Sequence, residues 1–172
     1  MQKLIILRGA PSSGKSTIAK NLRSVKNKVT WLKVDSFKPF FAKDVAEENE
    51  ALDYVNQTAL ATLQHLLNQG FSVVMEGIFQ SPKYITSAVD MAKQNNIESK
   101  VYELTCSLKV LQSRDGSREG VKEGCRKILG DKIIAKLNQI VKDNPWIGAE
   151  KLNTENLSLE ECIEKVKSQL EN

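Results

Sequence analysis

Histidine occurs once and cysteine three times in the 172 residues. Cys106, Cys125 and Cys162 form no C-x-x-C pair and leave an odd count, which argues against a zinc or disulfide framework and for reduced thiols in a cytoplasmic protein. His65 lies among Leu63, Leu66 and Leu67 of an expected helix and reads as a packed or surface residue, not as a catalyst or metal ligand. Aromatic residues are 6% of the chain, so few rings are available to stack on bases. The N-terminal apolar run, Leu4–Leu7, stops at Arg8, too short for a signal-peptide core or a membrane span. Ser/Gly linkers, internal repeats and low-complexity tracts are missing, and no membrane or obligate protein partner is expected. Residues 1–172 therefore read as one domain.

At 41% hydrophobic and 27% charged residues, the composition is that of a globular protein. A chain this long buries roughly 70% of its unfolded surface without covalent staples. The net charge of +4 hides segregation: residues 1–43 hold ten Lys/Arg and a single acid, Asp35, and a second basic block covers residues 99–142. Two such blocks can converge on one polyanion, a nucleotide phosphate or a nucleic acid.

Strand-like runs alternate with helical ones. Strands are expected at Leu4–Leu7, Val29–Val34, Phe71–Met75, Val101–Leu104 and, more weakly, Lys151–Asn153. Helices are expected over Ser16–Lys26, Asp44–Gln69 (closed by Gly70), Ser81–Asn95, Leu108–Arg114 and Arg126–Lys142. A last helix opens with the capping box Ser158-x-x-Glu161, its Leu159, Ile163, Val166 and Leu170 on one face. This alternation gives βαβ units, hence an α/β, doubly wound, mostly parallel five-stranded sheet with helices on both faces.

The first strand runs into Gly9-Ala10-Pro11-Ser12-Ser13-Gly14-Lys15-Ser16-Thr17, which fits G-x-x-x-x-G-K-[ST] between a buried strand and a helix. The glycines let the backbone wrap a phosphate with N–H groups pointing inward, and the helix N-terminus adds positive potential. Lys15 would reach the β- and γ-phosphates, and the Ser16 hydroxyl would ligate Mg²⁺. The expected cofactors are therefore ATP or another nucleoside triphosphate, and Mg²⁺. A GTPase should add N-K-x-D and D-x-x-G. Here Asn27-Lys28-Val29-Thr30 lacks the Asp, and no glycine has an Asp three residues before it. A transporter's Gly-rich signature is missing too, so a small kinase remains.

In this order of motifs the chain resembles the P-loop kinase group that includes polynucleotide 5′-hydroxyl kinases, zeta-toxin-like kinases and chloramphenicol phosphotransferase. Asp35-Ser36-Phe37-Lys38 is similar to D-x-[YF]-R, whose Asp is the general base for the acceptor hydroxyl. Lys38 stands where the group has Arg, without the bidentate fork. Arg114-Asp115-Gly116-Ser117-Arg118 resembles a lid motif, R-N-x-x-R-G, placing a lid at about residues 114–124. One helical turn would set Arg114 and Arg118 on one side, closing over the β/γ-phosphates. Glu119 before Gly120 departs from that motif. Glu76, ending the third strand, falls where the group carries an acid, which implies a hold on Mg²⁺-bound water or on the acceptor.

For the acceptor, the resemblance and the lysines at 33, 38 and 43 around Asp35 point to the 5′-hydroxyl of a polynucleotide or nucleotide, with Phe37, Phe40 and Phe41 as stacking rings. Two alternatives stand beside it: a kinase of a small molecule such as an antibiotic, nucleoside or sugar nucleotide, and a non-catalytic nucleotide-binding protein. The acceptor pocket is expected to be lined mostly by residues 37–61. Trp146 and residues 153–158 occupy the region where this group often lines the base, but no motif marks them and core packing is the default expectation.

Overall fold

The computed structural model describes residues 1–41, 51–118 and 127–171. Strand β1 (Lys3–Gly9) is buried along its whole length because it has a strand on each side and helices on both faces. It lies between β3 (Ser72–Gly77) and β4 (Glu98–Thr105); β2 (Val29–Lys33) flanks β3, and β5 (Glu150–Asn153) flanks β4. The order is β2-β3-β1-β4-β5 and every pairing is parallel. This is the five-stranded doubly wound sheet expected from the sequence.

The continuous apolar run of β1 has a simple cause. Leu4 and Ile6 point into one core layer and Ile5 and Leu7 into the other. The first layer is closed by α2 (Ala51–Asn68) and α3 (Lys83–Gln94), through residues such as Val55, Leu63, Ile85 and Ala88. The second is closed by α1 (Lys15–Leu22) and α6 (Leu159–Glu171), through Ile18, Leu22, Val166 and Leu170. Each of the Val, Leu and Ile side chains among them contributes roughly 1.5–3 kcal/mol on burial. The chain leaves β1 toward β2 and leaves the adjacent β4 toward β5, on the opposite side. A crevice therefore opens at the C-terminal edge of the sheet, where open parallel sheets bind ligands.

Local signals set several boundaries. The Gly70 N–H donates to Leu67 O and the Phe71 N–H to Leu66 O, with Gly70 at φ +80°, which is the Schellman ending anticipated for that glycine. Asn96 repeats it at φ +55°, so β4 starts at Glu98, earlier than expected. The Ser158/Glu161 capping box forms in both directions, at 3.1 and 2.8 Å.

Other boundaries differ from expectation. Helix α1 ends at Leu22, not Lys26. The start of the helix expected from Asp44 lies outside the described residues, and α2 is seen from Ala51. Helix α5 spans Asp131–Asp143, starting after the expected Arg126, because the Leu129 and Gly130 N–H groups donate to the Asp115 carboxylate instead of entering a helix. Helix α6 buries Cys162, Val166 and Leu170; Leu159 in its first turn is 40% exposed and faces a cavity.

Arg8, read from the sequence only as the end of an apolar run, is fully buried. Its guanidinium stands 2.9 Å from Glu103 and donates to Asn144 O (2.9 Å) and Val141 O (3.3 Å) at the C-terminus of α5. Burial pulls its pKa down, and Glu103 opposes that shift. The sheet thereby grips the end of α5. Arg8→Ala leaves Glu103 buried without its cation and should cost about 3–5 kcal/mol, read as a lower urea midpoint at unchanged slope.

Candidate active site

The turn after β1 depends on two glycines. A Cβ on Gly9 (φ +148°) would lie 2.6 Å from Leu104 O on the adjacent strand, and Gly14 (φ +98°) opens α1 in a conformation that side chains resist. The loop closes around Lys15, whose ammonium donates to Gly9 O (2.9 Å) and Ala10 O (2.8 Å) and lies 3.4 Å from Ser13 Oγ. Lys15 is thus buried beneath the turn at the N-terminus of α1, where orphan N–H groups and the helix dipole favour an anion.

Ser16, the next residue, donates its hydroxyl to Glu76 Oε1 at 2.7 Å. Glu76 is the buried penultimate residue of β3, beside Leu7 in register. A hydroxyl and a carboxylate, both hard oxygen donors, fit Mg²⁺, which takes one or two such groups and completes its shell with phosphates and water. Among the described residues no group of three His, Cys, Asp or Glu could form an all-protein cage.

Three adjoining cavities line the crevice. The first, about 570 Å³, lies between the 12–18 turn, Arg114 and the segment 154–162. The second, about 200 Å³, is walled by Lys15, Ser16, Lys33, Asp35, Glu76 and Arg118. The third, about 570 Å³, is lined by residues that include Asp35, Lys38, Asp53, Asn56, Tyr84 and Ile140. Ser12, Lys15, Ser16, Thr17 and Arg118 belong to both the first and the second; Asp35 and Ile78 belong to both the second and the third.

The expected site residues fall into this arrangement unequally. Ser12, Lys15, Ser16 and Thr17 of the turn meet Glu76 and Asp35 at the small middle cavity, while Ser13 and Gly14 line the first. Asp35 opens a 3-10 turn (Val34–Phe40) after β2, and Lys38 one turn on stands 2.7 Å from its Oδ1. Arg114 and Arg118 leave the end of α4 (Leu108–Gly116) in different directions. Arg114 is tied to Thr154, donating to Oγ1 at 3.0 Å and to the carbonyl at 2.6 Å, whereas Arg118 donates to Ser12 Oγ at 2.8 Å. Only Arg118 reaches the phosphate turn itself. Residues 119–124 of the expected lid lie outside the described residues, as do Lys43 and Cys125.

The rings divide between the default expectation of core packing, which Trp146 meets, and the stacking expected of the phenylalanines. Trp146 packs on the α2/α3 core layer and lines none of the cavities, while Thr154, Glu155, Leu157 and Ser158 do line the first. Phe37 and Phe41 also pack on the core, and Phe40 is exposed outside the third cavity. The wall of that cavity extends past residues 37–61 to residues 78–84 and Ile140. Cys106 and Cys162 are free thiols, and burial raises the pKa of each.

One residue was missed by the sequence reading. Asp115 is almost fully buried, receives the Leu129 and Gly130 N–H groups at 2.9 and 3.0 Å, and stands 3.4 Å from Arg118 Nε. It fastens the start of α5 and Arg118 to one point beside the phosphate turn. The signal was present: Asp115 occupies the Asn place of the motif around Arg114. Asp115→Ala should cost about 1–3 kcal/mol for each donor it orphans, and it should raise the nucleotide KM by releasing Arg118. Urea unfolding and nucleotide titration check the two effects.

A parallel sheet of this order, with a G-x-x-x-x-G-K-S turn after its first strand and hydroxyl, carboxylate and arginine groups converging there, is the P-loop kinase fold. The chain belongs to the Zeta toxin family, whose model matches residues 2–145. No curated protein matches it. Among solved structures it is similar to a gluconokinase from Sinorhizobium meliloti 1021, with 16% identity, 98% of this chain and 91% of that chain covered, and a TM-score of 0.69. It is similar to the Deinococcus radiodurans tunicamycin resistance protein, with 13% identity, 99% and 96% covered, and a TM-score of 0.66. It is also similar to a chain of the Pnkp1/Rnl/Hen1 RNA repair complex, with 20% identity, 83% and 44% covered, and a TM-score of 0.65. Among the described residues no helix is long and apolar enough to cross a membrane.

Proposed function

We propose that this chain is a Mg²⁺-dependent kinase that moves the γ-phosphate of ATP, or another nucleoside triphosphate, onto an alcohol held against Asp35. One observation carries the reading. Asp35 is shared by the small cavity beside Lys15 and Ser16 and by the large cavity beyond it, so one carboxylate faces both a donor side and an acceptor side. A protein that only senses a nucleotide has no use for the second chamber. The triphosphate lies in the first cavity with its β- and γ-phosphates on the turn 12–17, and Lys15 and Arg118 spread the charge of the transferring group. Mg²⁺, held by Ser16 and through water by Glu76, would neutralise the phosphate oxygens. The acceptor oxygen bonds to phosphorus as the bond to the diphosphate breaks, and its proton passes to Asp35. A carboxylate offers about four lone-pair positions, so Asp35 can receive that hydroxyl while paired with Lys38.

For the acceptor, the lysines near Asp35 support the polynucleotide or nucleotide 5′-hydroxyl suggested by resemblance. The pairing of Lys38 with Asp35 favours the other reading, a small-molecule acceptor. The test of the kinase reading is transfer of label from γ-labelled ATP to any acceptor, with Mg²⁺ required. Nucleotide binding without transfer to any acceptor would leave only a nucleotide sensor.

A further inference from the structure

The third cavity carries charge in a form that bears on what enters it. Among the described residues, those that are charged in its lining are two acids and two lysines, and they are paired: Lys38 with Asp35 at 2.7 Å and Lys83 with Asp53 at 2.7 Å. Asp53 also receives the Tyr84 hydroxyl and the Gln57 amide, and the hydrogen bonds from Lys83 and then Tyr84 hold its carboxyl below the ordinary range. It therefore stays anionic wherever a kinase works. The rest of the wall includes Val34, Leu52, Val55, Ile78 and Ile140, which are apolar.

We infer that the acceptor is an uncharged small molecule with one apolar face and at least two hydroxyl groups, the reacting one at Asp35 and a second one docked on Asp53. The inference rests on the kinase reading and narrows its substrate class. A phosphate-bearing acceptor gains from lysines whose counterions it can release. Here each lysine already has a carboxylate, and both carboxylates would repel a phosphate. A polynucleotide also needs rings on which bases stack; Phe37 and Phe41 are packed on the core, Phe40 lies outside the cavity, and of the rings in its described wall Phe79 is buried and Tyr84 is hydrogen-bonded to Asp53. A neutral molecule meets no such opposition. Its hydroxyl donates to Asp53, an acceptor whose orientation is fixed by Lys83, Tyr84 and Gln57. Asp53 and Tyr84 line the third cavity but not the second, so this anchor lies away from the reacting end. A volume of about 570 Å³ suits a metabolite- or drug-sized compound.

The experiment offers wild-type protein, γ-labelled ATP and Mg²⁺ three acceptor pools: the unretained and the retained fractions of a small-molecule extract passed over an anion exchanger, and 5′-hydroxyl DNA and RNA oligonucleotides. Label is expected in the unretained fraction, with kcat/KM nearly flat between roughly 50 and 200 mM salt. Label in the retained fraction or on oligonucleotides, falling steeply with salt, overturns this inference and leaves the kinase reading standing. No label in any pool overturns both. With the acceptor purified from the labelled fraction, Asp53→Asn is expected to raise its KM about tenfold with kcat within about threefold, because the lost bond is made equally in ground and transition states. Tyr84→Phe should raise KM in the same direction but less. Circular dichroism establishes that each variant is folded. An unchanged KM in folded Asp53→Asn overturns the docking role.

Discussion

Lys15→Ala should lower kcat for phosphoryl transfer by about 10²–10³-fold or more, the scale on which removal of one preorganised charge-stabilising donor is felt in a water-poor site. The ammonium does two things in this molecule. It holds the turn in shape through Gly9 O and Ala10 O, and it lines, with Arg118, the cavities in which the proposed reading places the phosphates. The first task adds a stability cost. Two carbonyls lose a charged donor beneath the loop, about 1–3 kcal/mol in all, which at this chain length lowers the melting temperature by several degrees without abolishing folding. Lys15→Arg separates the tasks. It keeps the charge, but the planar guanidinium cannot reach both carbonyls from the same buried position. Single-turnover transfer, thermal melting and nucleotide titration on the two variants distinguish a phosphate-binding lysine from a loop brace. If Lys15→Ala turned over at the wild-type rate, the kinase reading would fail.

Legibility in the sequence followed the range of the interactions. Short-range signals were readable: the G-x-x-x-x-G-K-S turn, the Ser158/Glu161 box and the glycine at 70 each act within a few residues of themselves. The strand count and parallel architecture followed from alternation, because each βαβ unit is local. Interactions that depend on chain segments far apart were not readable. Asp115 competes for the Leu129 and Gly130 N–H groups and thereby delays α5, and no helical propensity reveals such a competitor. The spacing of Arg114 and Arg118 suggested joint action, yet Thr154, forty residues on, draws Arg114 aside. Charge posed the same problem for the acceptor. The basic run around Asp35 was counted along the chain as an anion site, and no local signal announces that Lys83, thirty residues on, meets Asp53 in the same cavity wall.

Asp35→Asn should be the second large loss, about 10²–10⁴-fold in kcat, the usual contribution of a positioned general base. The change is nearly isosteric, keeps a hydrogen-bond acceptor toward Lys38 and removes the capacity to take a proton. Folding should survive it, since Asp35 opens a short turn and its ion pair is with the half-exposed Lys38, a contact worth at most about 1 kcal/mol. The nucleotide KM should move little, because Asp35 lines the middle and acceptor cavities and not the first. Lys38→Ala is the informative companion. It leaves the carboxylate and removes the cation that fixes its orientation, so kcat should fall far less, by about tenfold or below. The order of effects therefore separates base from orienter: Asp35→Asn must be slower than Lys38→Ala in single-turnover transfer to the same acceptor. Equal losses would mean that the ion pair acts as a unit in holding the acceptor, and the general-base role would then have to be given up. A wild-type rate in Asp35→Asn would remove Asp35 from the mechanism altogether.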